Sequence, residues 1–168
     1  MITPNITPSA TNIIKARVGI IDDDPIAATV MRARLRILFP ECSITIYDKP
    51  VVEPHLDVYF VDNDFGGNAL ATELLREIRK LNPDALVVAM SATLRSHTLK
   101  DLMNGGCNAV YDKNQSNTGD PVFEVMANYL KALSQTRSTH TRTPFTETVL
   151  SVRDLLHKWN QRLRRAGF

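Results

Sequence analysis

The stretch VYFVDNDFGG, residues 58–67, joins a run of four apolar residues to a concentrated patch of negative charge. Asp62 and Asp64 follow this run at once, and two glycines come after Phe65. A short continuous apolar run indicates a strand that is buried on both faces. Carboxylates clustered at the end of such a strand repel one another unless a cation lies among them. The role of these carboxylates therefore depends on which other charged residues the neighbouring strands and helices bring close to them.

Four more strand-like runs and four helical patterns surround this stretch. Their alternation predicts an α/β fold in which a parallel sheet carries helices on both faces. Between the second and third strands, Pro50 and Pro54 disfavour a helix, so we expect a short or irregular second helix, or only a loop. The strands are predicted at 17–21, 42–48, 57–62, 85–92 and 107–112, and the helices at 26–38, 68–81, 94–106 and 120–133.

The first helical pattern has its apolar residues at spacings of four, three and four. Such spacing places them on one face, as in an amphipathic helix. Asp24, just before Pro25, is suited to cap this helix. The residues of the face are Ile26, Val30, Ala33 and Ile37.

Polar residues follow four of the predicted strands where each one ends. Sheets of this type bind ligands outside the carboxyl ends of their strands, so these side chains should lie around one crevice. The natural cation for a carboxylate cluster is Mg²⁺, and a carboxylate beside it can act as a nucleophile towards phosphorus. The residues are Asp22 and Asp23 after the first strand, Asp62 after the third, Ser91 after the fourth and Lys113 after the fifth.

These residues, in this order, resemble the receiver domain of two-component response regulators. The matching motifs are GIIDDDP (19–25), VYFVDND (58–64), VVAMSA (87–92) and NAVYDK (108–113), and the likeness covers roughly residues 16–134. The resemblance implies a flavodoxin-like, doubly wound sheet of five parallel strands in the order 2-1-3-4-5. It also implies a switch that signals by protein contact and is not a turnover enzyme.

The resemblance further implies a role for each matching residue. Asp62 would accept a phosphoryl group from a histidine kinase or phosphotransfer protein. Asp22, Asp23, Asp62 and the backbone carbonyl of Asp64 would hold Mg²⁺. Ser91 would bond the phosphoryl group, and Lys113 would pair with Asp62 or its phosphate.

The sequence departs from the family pattern after the fifth strand. Asn114 stands where the family usually has proline, and Val110 stands where it usually has a switch aromatic. Tyr111 comes one place later and should face the other side of the sheet, as a core residue. An alternative is therefore a pseudo-receiver that serves interaction or dimerisation without phosphorylation. A haloacid-dehalogenase-type phosphatase fits less well, because in that family the Asp-x-Asp strand comes first and the acidic pair last.

The chain divides into a flexible tail (1–15), the receiver domain (16–134), a polar linker (135–145) and an amphipathic C-terminal helix (146–168). This helix would pack on its own receiver, form a homodimer, or contact nucleic acid or an acidic partner through its basic end. Too few residues follow the receiver for a helix-turn-helix output domain, so direct DNA binding is not expected. The apolar seam of the helix is Val149, Val152, Leu156, Trp159 and Leu163.

The composition fits a single domain with a short extra element. The chain has 168 residues, 43% of them hydrophobic, and a net charge of +2 that favours no particular partner. No apolar run is long enough to span a membrane. Cys42 and Cys107 are isolated and suit small buried positions, which together with the other features leads us to expect a cytoplasmic protein.

Overall fold

The computed structural model of the chain describes residues 15–66, 68, 70–114 and 120–138. Five strands form one parallel sheet in the order β2-β1-β3-β4-β5, which confirms the predicted topology. The strands are β1 (Arg17–Ile21), β2 (Ser43–Tyr47), β3 (Val58–Asp62), β4 (Leu86–Ser91) and β5 (Ala109–Asp112), and the helices are α1 (Pro25–Leu38), α2 (Ala71–Leu81), α3 (Ser96–Gly105) and α4 (Pro121–Ser138).

The sheet separates two apolar cores. Side chains alternate between its faces, so Val18 and Ile20 of β1 join one core while Ile21 joins the other. The first core lies under α1 and α4 and includes Leu35 and Met126. The second lies under α2 and α3. Burial of both faces explains why β3 and β4 are buried along their whole length.

No helix forms between β2 and β3, as the two prolines predicted. Residues 48–57 cross the sheet as an irregular loop, and its Val52 and Leu56 are buried in the core on the α2 and α3 side. The loop passes very close to β1: a Cβ on Gly19 would lie 2.5 Å from Cδ1 of Leu56. The glycine at this position of β1 therefore leaves room for the side chain of Leu56.

Helix α1 is confirmed, but the apolar face that predicted it is not its buried face. The helix packs on the sheet through Ala28, Met31 and Leu35. Ile26 and Ile37 of the predicted face are 74% and 79% exposed. The pattern identified a helix correctly, because a second apolar stripe has the same period, but it did not identify the side that contacts the sheet.

Helix α4 runs to Ser138, so residues 135–138 of the predicted linker are helical. In its last turn, the guanidinium of Arg137 lies 2.6 Å from the carboxylate of Asp57, just before β3.

Among the described helices, none has the length and apolar character to cross a membrane. The predicted N-terminal tail (apart from Lys15) and the predicted C-terminal helix (146–168) lie outside the described residues.

Candidate functional site

The acidic residues meet where β1 and β3 end side by side. Ile21 pairs with Val61, so the next residue of each strand, Asp22 and Asp62, lies at the same level. Both are buried, with 1% and 3% of their surface exposed. One carboxylate oxygen each from Asp22, Asp23 and Asp62 lies within 4.8 Å of the others. Three strand-end carboxylates therefore form one cluster, as expected.

Lys113 supplies positive charge to this cluster from the end of β5. Its ammonium nitrogen lies 2.8 Å from Oδ2 of Asp22 and 2.8 Å from Oδ1 of Asp62. The backbone N–H of Lys113 donates to the carbonyl of Ser91 at 2.9 Å, which ties the ends of β4 and β5 together. The lysine is therefore held between two buried carboxylates by both its backbone and its side chain.

The loops beside the cluster are anchored by the other two acidic residues of the first motif. Asp24 caps α1 by accepting from the backbone N–H groups of Ile26 and Ala27, at 2.8 and 3.2 Å. Asp23 accepts from the backbone N–H of Gly66 at 2.9 Å. Gly66 has a φ of +54°, a conformation that favours glycine. The loop after β3 is thereby tied to the loop after β1.

The donor set suits a hard divalent cation. Oδ2 of Asp22 is buried and, among the described residues, makes no hydrogen bond of regular geometry, although the Lys113 ammonium lies close to it. Asp23 is exposed and reaches the cluster from the solvent side. Carboxylate oxygens with an open side are the ligands that Mg²⁺ takes together with water or phosphate oxygens. The residues present therefore fit the predicted metal.

Burial perturbs the ionisation of the central pair. Burial raises the pKa of Asp62, and the charge of Asp22 raises it further, while Lys113 and the backbone N–H of Asp64 act in the opposite direction. For Lys113, burial alone would lower the pKa, but the two carboxylates of Asp22 and Asp62 beside its ammonium outweigh burial, and the pKa is raised. The lysine stays charged, and the carboxylate of Asp62, the phosphoacceptor candidate, is more basic than an ordinary aspartate.

Ser91 and Asn114 line the β4 and β5 side of the site. The Ser91 hydroxyl is buried and exchanges hydrogen bonds of 3.1 Å with the backbone N–H and carbonyl of Thr93. It would have to rotate to bond an incoming group. The backbone N–H of Asn114 donates to the carboxylate of Asp112 at 2.9 Å, and its side-chain amide donates to the carbonyl of Ala92. An amide therefore bridges the two loops where the family usually has proline.

Val110 and Tyr111 lie on opposite sides of the sheet. Val110 is buried in the core under α2 and α3. Tyr111 is buried on the α1 and α4 side, with its ring centroid 6.0 Å from that of Phe123 and its hydroxyl hydrogen-bonded to Arg34 of α1. Tyr111 is thus a core residue, as predicted, and its polar end connects β5 to α1.

Three contacts at the site were not predicted from the sequence. They are the Gly66 N–H on Asp23, the Asn114 side chain on the β4 loop and Arg34 on Tyr111. The glycines after Phe65 signalled a turn, but a glycine pattern does not indicate which carboxylate the turn binds. Arg34 belongs to no sequence motif, and its partner Tyr111 lies 77 residues away, so the sequence does not indicate that the two side chains meet.

Comparison with known proteins gives structural matches alone. No family model matches the sequence, and no curated protein does. Among solved structures, the activated DrrB receiver domain matches with a TM-score of 0.61 at 13% identity, over 70% of this chain and 99% of that chain. The chain has the receiver-domain fold.

Two further matches have the same architecture. The receiver domain of a DNA binding response regulator from Colwellia psychrerythraea matches with a TM-score of 0.59 at 21% identity, over 70% of this chain and 99% of the other. The response regulator TrrA from Thermotoga maritima, in complex with Mg²⁺ and beryllium fluoride, matches with a TM-score of 0.56 at 20% identity, covering 68% and 98%. At such identities the likeness extends to the fold, and the chemistry must be argued from the site.

Proposed function

We propose that this chain is a response regulator that is phosphorylated on Asp62 with the help of Mg²⁺ and signals by protein contact. The observation that carries the proposal is the ammonium of Lys113, held 2.8 Å from each of two buried carboxylates in a cluster of three. A cluster that exists only to stabilise the fold has no need of this excess of negative charge. A phosphoryl site needs it, because the carboxylates hold the metal ion that neutralises charge on the transferred group.

Each residue then has a task that follows from its position. Asp22, Asp23, Asp62 and the backbone carbonyl of Asp64 would hold Mg²⁺, which when bound offsets the negative charge of the phosphoryl oxygens and of Asp62. Lys113 supplies a second positive charge that is fixed in place. Ser91, once rotated from Thr93, donates its hydroxyl hydrogen to a phosphoryl oxygen. Catalysis of this kind depends mainly on positioning and charge.

The transfer step is a displacement at phosphorus. A carboxylate oxygen of Asp62 forms a bond to phosphorus while the bond from phosphorus to the donor's imidazole nitrogen breaks, and that nitrogen keeps the electron pair. Burial raises the pKa of Asp62, and a more basic carboxylate is a better nucleophile once it is ionised. The donor is a phosphohistidine of a histidine kinase or phosphotransfer protein. The product is a switch state and not a released metabolite, so the chain is no turnover enzyme.

The test is to incubate the full chain with acetyl phosphate and Mg²⁺ and to measure its intact mass. We expect the wild type to gain one phosphoryl group that hydroxylamine removes, and Asp62→Ala to gain none. Asp57→Asn is the matched control, because Asp57 is also a buried aspartate next to β3 but lies at the opposite end of the strand. It should be phosphorylated like the wild type.

Each other result points to a different function. A wild type that gains no phosphoryl group would support the pseudo-receiver. Continuous release of phosphate without a stable adduct would support a phosphatase. Phosphorylation that persists in Asp62→Ala would place the acceptor elsewhere.

A further inference from the structure

Helix α1 has apolar residues on two opposite sides. Ala28, Met31 and Leu35 face the sheet. The side turned away from the sheet carries a second apolar row, the α1 outer stripe, of which Ile26 is 74%, Val30 48% and Ile37 79% exposed. A helix on a protein surface normally has one apolar stripe, and apolar residues on all sides indicate burial on all sides. The stripe, completed by Ala33, is left uncovered by the described residues.

We propose that the C-terminal segment of the same chain, residues 146–168, packs on the α1 outer stripe as an antiparallel helix. Four of the five seam residues match the stripe in spacing. Read backwards, Leu163, Trp159, Leu156 and Val152 have spacings of four, three and four, and the stripe Ile26, Val30, Ala33 and Ile37 has the same spacings, while Val149 falls beyond the end of the stripe. Matching alternation of three and four is the condition for two helices to interlock along their length.

The position where α4 ends allows this packing. α4 lies on the same face of the sheet as α1, and Arg137 in its last turn pairs with Asp57 at the amino end of the strands. α1 also ends there, since Ser43, four residues beyond Phe39, donates to Ala16 just before β1. Seven linker residues, 139–145, span up to about 25 Å when extended, whereas packed helix axes are about 10 Å apart. A helix that starts there runs antiparallel to α1.

Charge favours the antiparallel direction. Around the stripe, α1 carries Arg32 and Arg36 towards its end, and the exposed Asp23 and Asp24 precede its start. In the matched register, the oppositely charged neighbours Arg153 and Asp154 would lie near the arginines without adding net charge, and the basic end of the segment would lie near the two aspartates. That basic end is Arg162, Arg164 and Arg165. A parallel arrangement would bring the basic end against the arginines, which is unfavourable.

The length of the linker favours the same chain over a second copy as the source of this helix. A linker of only seven residues gives a tethered segment an effective concentration of about millimolar. A second copy at micromolar concentration competes poorly against it. The inference does not depend on phosphorylation, and it predicts that the basic end of the segment lies at the rim of the acidic site.

The single tryptophan of the chain, Trp159, provides a direct measurement. In the full chain we expect its fluorescence to be blue-shifted and protected from acrylamide. Ile37→Glu should shift the emission to longer wavelength and increase quenching, because a charge in the seam lowers the ratio of docked to undocked segment by roughly tenfold or more. Ile37 is exposed in the described fold, so the receiver itself should remain folded, as far-ultraviolet circular dichroism will verify.

Leu81→Glu is the matched control, since Leu81 is 53% exposed at the end of α2 on the other face of the sheet. It should leave Trp159 unchanged, and Val152→Lys added to Ile37→Glu should restore part of the protection. The proposal is overturned if Trp159 of the wild type is as accessible as free tryptophan, or if Ile37→Glu leaves it unchanged. Protection that grows with protein concentration alongside a doubled mass would assign the stripe to a second copy and overturn it too.

Discussion

Acidic and basic side chains meet at both ends of the sheet, but their charges are balanced differently. At the amino end, Asp57 accepts from the backbone N–H of Arg17 at 2.8 Å and from the guanidinium of Arg137 at 2.6 Å. At the carboxyl end, Lys113 faces two buried carboxylates, with the exposed Asp23 beside them. At the amino end, one carboxylate is neutralised by one guanidinium. At the carboxyl end, three carboxylates share one ammonium, so an excess of negative charge remains. We interpret the first as a structural contact and the second as a binding site.

The largest expected effect is the loss of Lys113. Lys113→Met leaves Asp22 and Asp62 buried without their cation, and removing one partner of a buried ion pair costs about 3–5 kcal/mol. The free energy of unfolding, measured by urea denaturation with a chelator present, should fall by that amount. A second measurement with Mg²⁺ added should recover part of the loss, because the cation replaces some of the missing charge. A decrease in the free energy of unfolding no larger than that for an exposed ion pair would show that repulsion between the carboxylates of the carboxyl-end cluster is weak.

The second largest expected effect is stabilisation by Mg²⁺, which should depend on the carboxyl-end cluster and not on the amino-end pair. A ligand that binds the folded state alone stabilises it by about 2.7 kcal/mol at a hundred times its dissociation constant. We expect the urea midpoint of the wild type and of Asp57→Asn to rise equally with Mg²⁺. Asp23→Asn should rise much less, since Asp23 is an exposed member of the carboxylate cluster. An unchanged response in Asp23→Asn would remove this residue from the proposed metal site.

Part of this contrast could be predicted from the sequence. The apolar runs gave the five strands, and the polar residues that end them gave the carboxyl-end cluster, because parallel strands bring those ends to one edge. The amino-end pair could not be predicted, since Asp57 and Arg137 are 80 residues apart and carry no motif. The buried side of α1 also could not, because two apolar stripes of equal period compete and tertiary packing decides between them.

Neutralising Asp62 should have a smaller effect, in the opposite direction. Asp62→Asn removes one of the crowded carboxylates and should stabilise the fold by about 1 kcal/mol, because the charge that crowds Asp22 is lost. Because burial raises the pKa of Asp62 above its ordinary value of 3.8, the folded state binds this proton more tightly than the unfolded chain. Stability from this group is therefore complete below that value and is lost as pH rises through the folded pKa.

The pH dependence provides the measurement for this prediction. Urea denaturation of the wild type and of Asp62→Asn, without Mg²⁺, should give similar stabilities near pH 4 and a growing advantage for the variant towards pH 7. Asp57→Asn, compared in the same way, should show no such advantage. An advantage of Asp62→Asn that shrinks as pH rises would mean that Lys113 more than compensates the charge of Asp62.

The smallest expected effect is the loss of Arg137. Its side chain is 46% exposed, and an exposed ion pair contributes about 0–1 kcal/mol. Arg137→Met keeps the apolar stem, and Asp57 keeps its hydrogen bond from the backbone of Arg17, so unfolding by urea should change by less than about 1 kcal/mol. Raising the salt concentration should shrink even this difference. A cost comparable to that of Lys113→Met would show that the amino-end pair is as critical as the site, and that charge balance does not distinguish structure from function in this fold.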